Sequence, residues 1–139
     1  LYPNYADGYA QLAENLSFPG EPEASLEAIR KAMRLDPRHP FFYLWIVGRN
    51  YMLQQRYGEA VEEFKKVLRQ NPEFPGAHLT LAATYGLLGR IEEAEWEAEE
   101  VMVLLPEFTL ARERERVPFK RPEHLVRYIE GLRKAGLPE

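Results

Sequence analysis

The stretch YGEAVEEFKKVLRQNP, residues 57 to 72, decides the fold. Ala60, Phe64 and Val67 follow one another at spacings of four and three residues, which places them on one face of a helix. Charged side chains occupy the opposite face. Pro72 cannot donate the hydrogen bond that a helix interior requires, so it marks the end of the helix. The stretch therefore predicts an amphipathic helix that is closed by a proline.

The same pattern occurs twice more, as EASLEAIRKAMRLDP before Pro37 and EEAEWEAEEVMVLLP before Pro106. With Pro3 included, the four prolines are separated by 34, 35 and 34 residues. A fixed period of this length is typical of a repeat protein, in which each unit buries its apolar face only against its neighbours. Residues 57 to 72 are thus one of three copies.

A second helix precedes each copy, over residues 6–16, 41–55 and 76–89. Small residues recur in these helices at matching places, namely Ala13, Gly48 and Ala82, and a large residue follows three positions later. A small residue on a packing face lets two helix backbones approach closely. No strand pattern of comparable length is present. The sequence therefore predicts an all-α array of antiparallel helix pairs.

The period and these positions resemble the tetratricopeptide repeat. In the copy at 41–74 the matching residues are Val47, Gly48, Tyr51, Ala60, Phe64, Val67 and Pro72. The tryptophan that the family carries in its first helix is replaced by Tyr9, Leu44 and His78. The resemblance implies one domain over 1–139, a right-handed superhelical solenoid with repeats at about 6–39, 41–74 and 75–108.

The carboxyl end differs from the repeats. Pro122 suits a helix start, Leu125, Tyr128, Ile129 and Leu132 form an apolar stripe, and Gly136 suits a helix stop. We expect 109–136 to cap the last repeat. Residues 108–139, together with residues 39–68, also resemble the tails of bacterial class III adenylate/guanylate cyclases that carry tetratricopeptide repeats. That resemblance implies a larger parent enzyme, to which this chain would be a regulatory or accessory part without activity of its own.

Composition narrows the function. The chain has no cysteine and no apolar run long enough for a membrane helix, and its start does not read as a signal peptide, so we expect a cytoplasmic protein. Residues 1–110 carry a net charge of −7 and residues 111–139 carry +3, which is a poor nucleic-acid footprint. His39, His78 and His124 are far apart and no catalytic motif is present. We therefore expect no enzyme activity, no metal and no cofactor.

Stacked first helices line a concave surface, which the resemblance identifies as the place where a protein or peptide binds. We predict that partner-binding groove at Phe42, Trp45, Ile46, Arg49, Leu53, Leu79 and Ala83. The first repeat adds Asp7, Ala10, Gln11, Glu14, Ser17 and Phe18. An exposed apolar strip around an arginine is typical of an interaction site. The alternative is that the carboxyl-terminal helix or a preceding repeat covers these side chains.

Two narrower expectations concern the partner. Tetratricopeptide domains that hold chaperone tails use an amide and basic clamp, but the corresponding positions here hold Glu14, Arg49, Trp45 and Leu79, so we do not expect such a clamp. The partner is then another protein, another part of the parent polypeptide, or a second copy of the chain. We expect Trp96 to pack under Phe108 or Phe119, with a self-association contact as the alternative.

Overall fold

The computed structural model describes residues 3–17 and 20–139. Over those residues the chain forms eight α-helices and no strand. They are α1 (Pro3–Ser17), α2 (Pro22–Leu35), α3 (Phe41–Leu53), α4 (Tyr57–Gln70), α5 (Pro75–Leu88), α6 (Ile91–Leu104), α7 (Leu110–Arg116) and α8 (Pro122–Lys134). The prediction of an all-α solenoid is confirmed.

The first six helices pack as the pairs α1–α2, α3–α4 and α5–α6. The second helix of one pair also packs on the first helix of the next, because α2 contacts α3 and α4 contacts α5. Helices α2, α4 and α6 each end two residues before the repeat proline. The first pair differs, since α1 already begins at Pro3, where the fixed φ of proline suits the first turn of a helix.

Within a pair, a small residue of the first helix faces a large residue of the second. Gly48 of α3 illustrates this contact: a Cβ atom on Gly48 would lie 2.5 Å from the ring of Phe64 of α4. Phe64 is fully buried and belongs to the main core cluster. The predicted use of a small residue for close helix approach is seen directly at this position.

The turn inside each pair uses a residue with positive φ at the same repeat position. These residues are Gly20 (φ 91°), Gln55 (φ 61°) and Gly89 (φ 78°). The amide of the residue after each turn donates to a carbonyl five residues back, for example Arg90 N to Tyr85 O at 2.9 Å. Gln55 therefore adopts a left-handed conformation that glycine adopts at lower cost.

The carboxyl-terminal segment folds back over the solenoid. Helix α8 packs mainly on α5 and much less on α6. At its amino end, the Arg121 side chain lies against Gly20, where an added Cβ would come within 2.3 Å of it. The predicted apolar stripe is in place, because Tyr128, Ile129 and Leu132 are buried. The segment therefore spans from the third repeat to the first.

Candidate functional site

The inner face of the solenoid is built from residues that recur at one repeat position. Glu14, Arg49 and Ala83 occupy that position on α1, α3 and α5. Arg49 forms an ion pair with Glu14 and donates from Nε to Ser17 Oγ at 3.0 Å. Burial lowers the pKa of Arg49, and the charge and hydrogen bond of Glu14 raise it. The guanidinium is thus a buried link between the first two repeats.

Five of the seven predicted groove residues are buried by the chain itself. Only Phe42 is exposed, at 40%, and Trp45 is half-buried. The buried residues are Ile46, Arg49, Leu53, Leu79 and Ala83. Phe18, also predicted in the groove, lies outside the described residues. Phe42 and Trp45 are therefore the predicted side chains that a partner can reach.

Trp45 lies between the second and third repeats. Its ring makes an edge contact with Phe74, with the centroids 5.1 Å apart, and Arg49 lies 5.2 Å from its ring centroid. Its Nε1 is buried and has no hydrogen-bond partner among the residues that the structure describes. The indole thus joins the core at one edge and faces the groove at the other.

The third-repeat part of the groove is filled by α8. A Cβ on Gly131 of α8 would lie 2.4 Å from the carbonyl oxygen of Ala83, and one on Gly86 would lie 2.3 Å from that of Gly131. These helices therefore touch through their backbones. About one turn before Gly131 on α8, Tyr128 donates to buried Glu113 at 2.6 Å, and Arg116 pairs with the same carboxylate. Burial, followed by the Glu113 charge, raises the pKa of Tyr128.

The first-repeat part of the groove is open. It forms a depression of about 450 Å³ between α1 and α3. Its lining consists of Asp7, Ala10, Gln11, Glu14, Phe42 and Ile46. The Asp7 carboxylate accepts a hydrogen bond from Tyr43 Oη at 3.2 Å, and Glu14 is already paired with Arg49. The depression therefore offers one less satisfied carboxylate beside an exposed aromatic ring.

The sequence places both carboxylates in the first-repeat part of the groove, because Asp7 and Glu14 occupy lining positions of the repeat. It does not indicate that Glu14 is paired, because that pairing depends on Arg49 of the next repeat. Asp7 occupies on α1 the place that Phe42 occupies on α3, so both face the same groove.

Two further observations concern residues outside the groove. The expectation that Trp96 packs under Phe108 or Phe119 is wrong, because Trp96 is 56% exposed on α6.

His78, at the family's tryptophan position, is buried and forms hydrogen bonds with Glu97 at 2.6 Å and with the Pro72 carbonyl at 2.8 Å. Burial lowers the pKa of His78, but these hydrogen bonds and the Glu97 charge raise it overall.

Residues 3–17 and 20–139 contain neither a metal-binding cluster nor a membrane-spanning helix. No three His, Asp or Glu side chains in that part of the chain are arranged to hold a metal ion. None of its helices combines the length and apolar character that crossing a membrane demands.

Comparison with known proteins supports tetratricopeptide repeats in this chain. Residues 51–102 match the tetratricopeptide repeat family model. Hsp70-Hsp90 organizing protein 3 of Arabidopsis thaliana is 31% identical over 90 residues, which is 62% of this chain and 16% of that protein. Hsp70-Hsp90 organizing protein 2 of the same plant is 33% identical over 61 residues, or 44% of this chain and 11% of the relative. The chain thus spans less than a fifth of the curated relatives it matches.

Solved structures share the fold. The crystal structure of MamA superposes with a TM-score of 0.70 at 18% identity, over 96% of this chain and 78% of that one. The structure of PilW, described as a type IV pilus biogenesis factor, gives 0.71 at 20% identity, over 96% and 59%. At these identities the likeness concerns the fold alone.

Proposed function

We propose that this chain is a protein-interaction scaffold that holds a segment of a partner protein in the open, first-repeat part of its groove. The observation that carries the proposal is the exposure of Phe42 at the rim of a depression that also contains Asp7. An exposed aromatic next to a charged group is a usual anchor at protein interfaces. The tetratricopeptide repeat itself is a protein-binding architecture, whose curved face is suited to extended ligands.

The groove constrains the partner in two ways. Because α8 occupies the third-repeat part, an extended ligand has room only over the first two repeats. Because Asp7 is exposed and Glu14 is shared with Arg49, the free charge of the depression is negative. We therefore expect a short segment that places a lysine or arginine near Asp7 and an apolar side chain on Phe42.

The likeness to Hsp70-Hsp90 organizing proteins raises the acidic tail of a chaperone as a ligand. The groove argues against it. Arg49, the cation nearest to the clamp positions, is 2% exposed and paired with Glu14, and Leu79 is buried. An acidic peptide would meet the Asp7 carboxylate without a free cation to balance it, and like charges in close proximity disfavour binding.

Peptide binding tests the proposal. The Trp96→Phe chain keeps Trp45 as its one tryptophan, since the sequence has two, so groove occupancy can be read from Trp45 fluorescence. A set of basic-aromatic peptides and the same peptides with acidic residues in place of the basic ones are titrated against it. We expect the basic set to bind, and Phe42→Ala or Asp7→Asn to weaken binding about tenfold.

Val126→Ala is the matched control, because Val126 is 66% exposed on α8 and does not line the depression. Equal binding of both peptide sets would contradict the proposed partner chemistry. Binding that neither Phe42→Ala nor Asp7→Asn changes would contradict the proposed site.

We also propose that the chain is attached to a nucleotide cyclase and is cytoplasmic, on the basis of the resemblance of residues 39–68 and 108–139 and of the composition. The same resemblance predicts that the catalytic domain lies outside this chain. A cyclase assay on the chain alone should therefore be blank, and measurable turnover would overturn the non-enzymatic scaffold. The coding sequence upstream of residue 1 tests the attachment directly.

A further inference from the structure

The first helix of the solenoid carries an apolar stripe that residues 3–17 and 20–139 leave partly uncovered. Tyr9, Leu12 and Leu16 lie on one side of α1, and Leu12 is 45% exposed. Two shallow depressions open along this stripe. We refer to these three residues as the leading stripe.

The same repeat positions are buried in the other two repeats. The counterparts of Leu12 are Val47 and Leu81, which are 6% and 1% exposed. Val47 belongs to one cluster with Leu26 and Ile29 of α2, so the second helix of the preceding repeat covers it. The leading stripe therefore has the chemistry of a surface that receives the second helix of another repeat.

The other end of the solenoid carries the complementary surface. On α6, Glu95, Ala98, Glu99 and Met102 border an open groove of about 510 Å³, whose far wall is formed by residues 135–137. Trp96, which lies next to Glu95 on α6, is exposed as well. Met102 is half-buried and packs against the main core cluster, as does Leu68, its counterpart on α4. We refer to Glu95, Trp96, Glu99 and Met102 as the trailing row.

The repeat register indicates which residues of the two surfaces would meet. The charge of Glu62 on α4 acts on Tyr85 and Arg90 of the next repeat, so Glu62 lies near both. Likewise, Arg30 of α2 donates to Tyr51 Oη of the next repeat at 2.9 Å. On α6, in the third repeat, the counterparts of Glu62 and Arg30 are Trp96 and Glu99.

Leu16 is the first-repeat counterpart of both Tyr51 and Tyr85. A helix pair that continued the solenoid after α6 would thus set Trp96 and Glu99 against the residue that corresponds to Leu16. Two side chains that are left exposed at opposite ends of one chain, Trp96 and Leu12, would be covered by the same contact.

We propose that two copies of this chain stack end to end, with the trailing row of one copy packed on the leading stripe of the next. Trp96 and Met102 supply apolar surface for Leu12 and Leu16. Lys31 and Glu27 both border the leading stripe. Lys31, whose Nζ lies 5.3 Å from the Tyr9 ring centroid, is the charge that suits the acidic trailing row. The contact is heterologous, because it joins two different surfaces. The copy at one end of the stack therefore keeps a free leading stripe, and the copy at the other end keeps a free trailing row.

The inference is independent of the groove, because Phe42 and Asp7 are in neither surface. It is tested by sedimentation equilibrium of the chain over a wide concentration range. We expect concentration-dependent association of the unmodified chain. Leu12→Asp removes the leading stripe and Trp96→Asp removes the trailing row, and each variant alone should associate at least tenfold more weakly.

A mixture distinguishes end-to-end stacking from any other dimer. Leu12→Asp retains an intact trailing row and Trp96→Asp retains an intact leading stripe, so an equimolar mixture should form a one-to-one complex and nothing larger. Val126→Asp, which changes an exposed apolar residue on α8, should associate like the unmodified chain. Circular dichroism of each variant establishes that it is folded.

Three results would overturn the inference. The first is a monomer at every concentration, which would leave the leading stripe to another occupant. The second is association that Leu12→Asp and Trp96→Asp leave unchanged although both are folded. The third is a mixture of these variants that forms no complex.

Discussion

Arg49 of α3 forms an ion pair with Glu14 of α1, and the two residues occupy the same position in successive repeats. Arg49 is 2% exposed, whereas the Glu14 side chain is 35% exposed. The pair therefore connects neighbouring repeats below the floor of the groove, and its carboxylate is the only half that faces the open depression.

Removing Glu14 from this pair should destabilise the fold more than replacing Arg49. Glu14→Ala leaves a buried guanidinium without its counter-ion and should lower the free energy of unfolding by about 1–3 kcal/mol. Arg49→Met replaces the charge with an apolar chain of similar length and should cost less. Urea denaturation measures both, with Glu92→Ala as an exposed control. Equal losses for Glu14→Ala and Glu92→Ala would contradict the linking role.

The contact between Gly48 and Phe64 predicts a difference between two helical glycines. Gly48→Ala places a Cβ against a fully buried ring and should lower the free energy of unfolding by about 1–3 kcal/mol. Gly58→Ala, where no atom lies within 4 Å of the new Cβ, should be neutral or slightly stabilising because alanine favours helix. Thermal melts of the two variants provide the comparison, and a neutral Gly48→Ala would refute the close packing.

The left-handed turn at Gln55 predicts a stabilising substitution. Gln55→Gly relieves the positive φ and should raise the free energy of unfolding by about 1 kcal/mol, since the other two repeats already use glycine there. Gly89→Gln is the reverse change at the matching position of the third repeat and should lower it by a similar amount. The denaturant concentration at the midpoint of unfolding, measured for both variants and the unmodified chain, tests these two changes. A destabilised Gln55→Gly chain would show that the Gln55 side chain matters more than the backbone.

The backbone contact between α5 and α8 makes α8 sensitive to a single methyl group. Gly131→Ala would set a Cβ 2.4 Å from the Ala83 carbonyl oxygen and should loosen α8 from the groove. Trypsin should then cut faster after Lys120, which precedes the helix, whereas the bond after Arg121 is protected by Pro122. Gly8→Ala has open space around its Cβ and is the control. Unchanged cleavage in Gly131→Ala would mean that α8 tolerates a shift.

The buried pair of His78 and Glu97 predicts a pH dependence. Both ring nitrogens of His78 face acceptors, so the charged imidazolium is favoured and the folded pKa lies above the unfolded value near 6.5. The stability that the charged form contributes is therefore complete below about pH 6.5 and is lost as the pH rises through the folded pKa.

Unfolding free energies of the unmodified chain and of His78→Phe, measured from pH 5 to 9, test this pH dependence. The unmodified chain should be more stable than His78→Phe at low pH, and this advantage in the free energy of unfolding should decrease as the pH rises. A difference that does not vary with pH would contradict a charged His78. Glu97→Gln removes the carboxylate that holds the charge and should flatten the profile in the same way.

The sequence was sufficient for the solenoid because each of its signals is local and is repeated three times. Helical spacing in residues 57–72 and the proline period fix where the helices lie, and α2, α4 and α6 end as predicted. The packing of Gly48 on Phe64 also follows from the pattern. None of these features depends on contacts between distant segments.

The site was harder to predict because it depends on such contacts. Whether Ala83 is exposed is decided by the return of α8, and an apolar stripe on α8 does not say which surface receives it. Ile46 is buried by contacts with the first repeat instead. Arg49 was predicted as a groove cation. Its pairing with Glu14 was not, because the two residues are 35 positions apart in the sequence and meet only when α1 and α3 pack together. Trp96 was expected inside the core because most tryptophans are largely buried, and here it is exposed.

The return of α8 to the first repeat also affects how the molecule unfolds. In a simple solenoid each repeat touches only its neighbours, so the ends can fray one unit at a time. Here Arg121 lies on the first-repeat turn at Gly20 while Gly131 lies on the third-repeat helix, so one helix bridges units that would otherwise be independent. Loss of either terminal repeat then also loosens this bridge, and melting should be a single cooperative transition rather than a stepwise one.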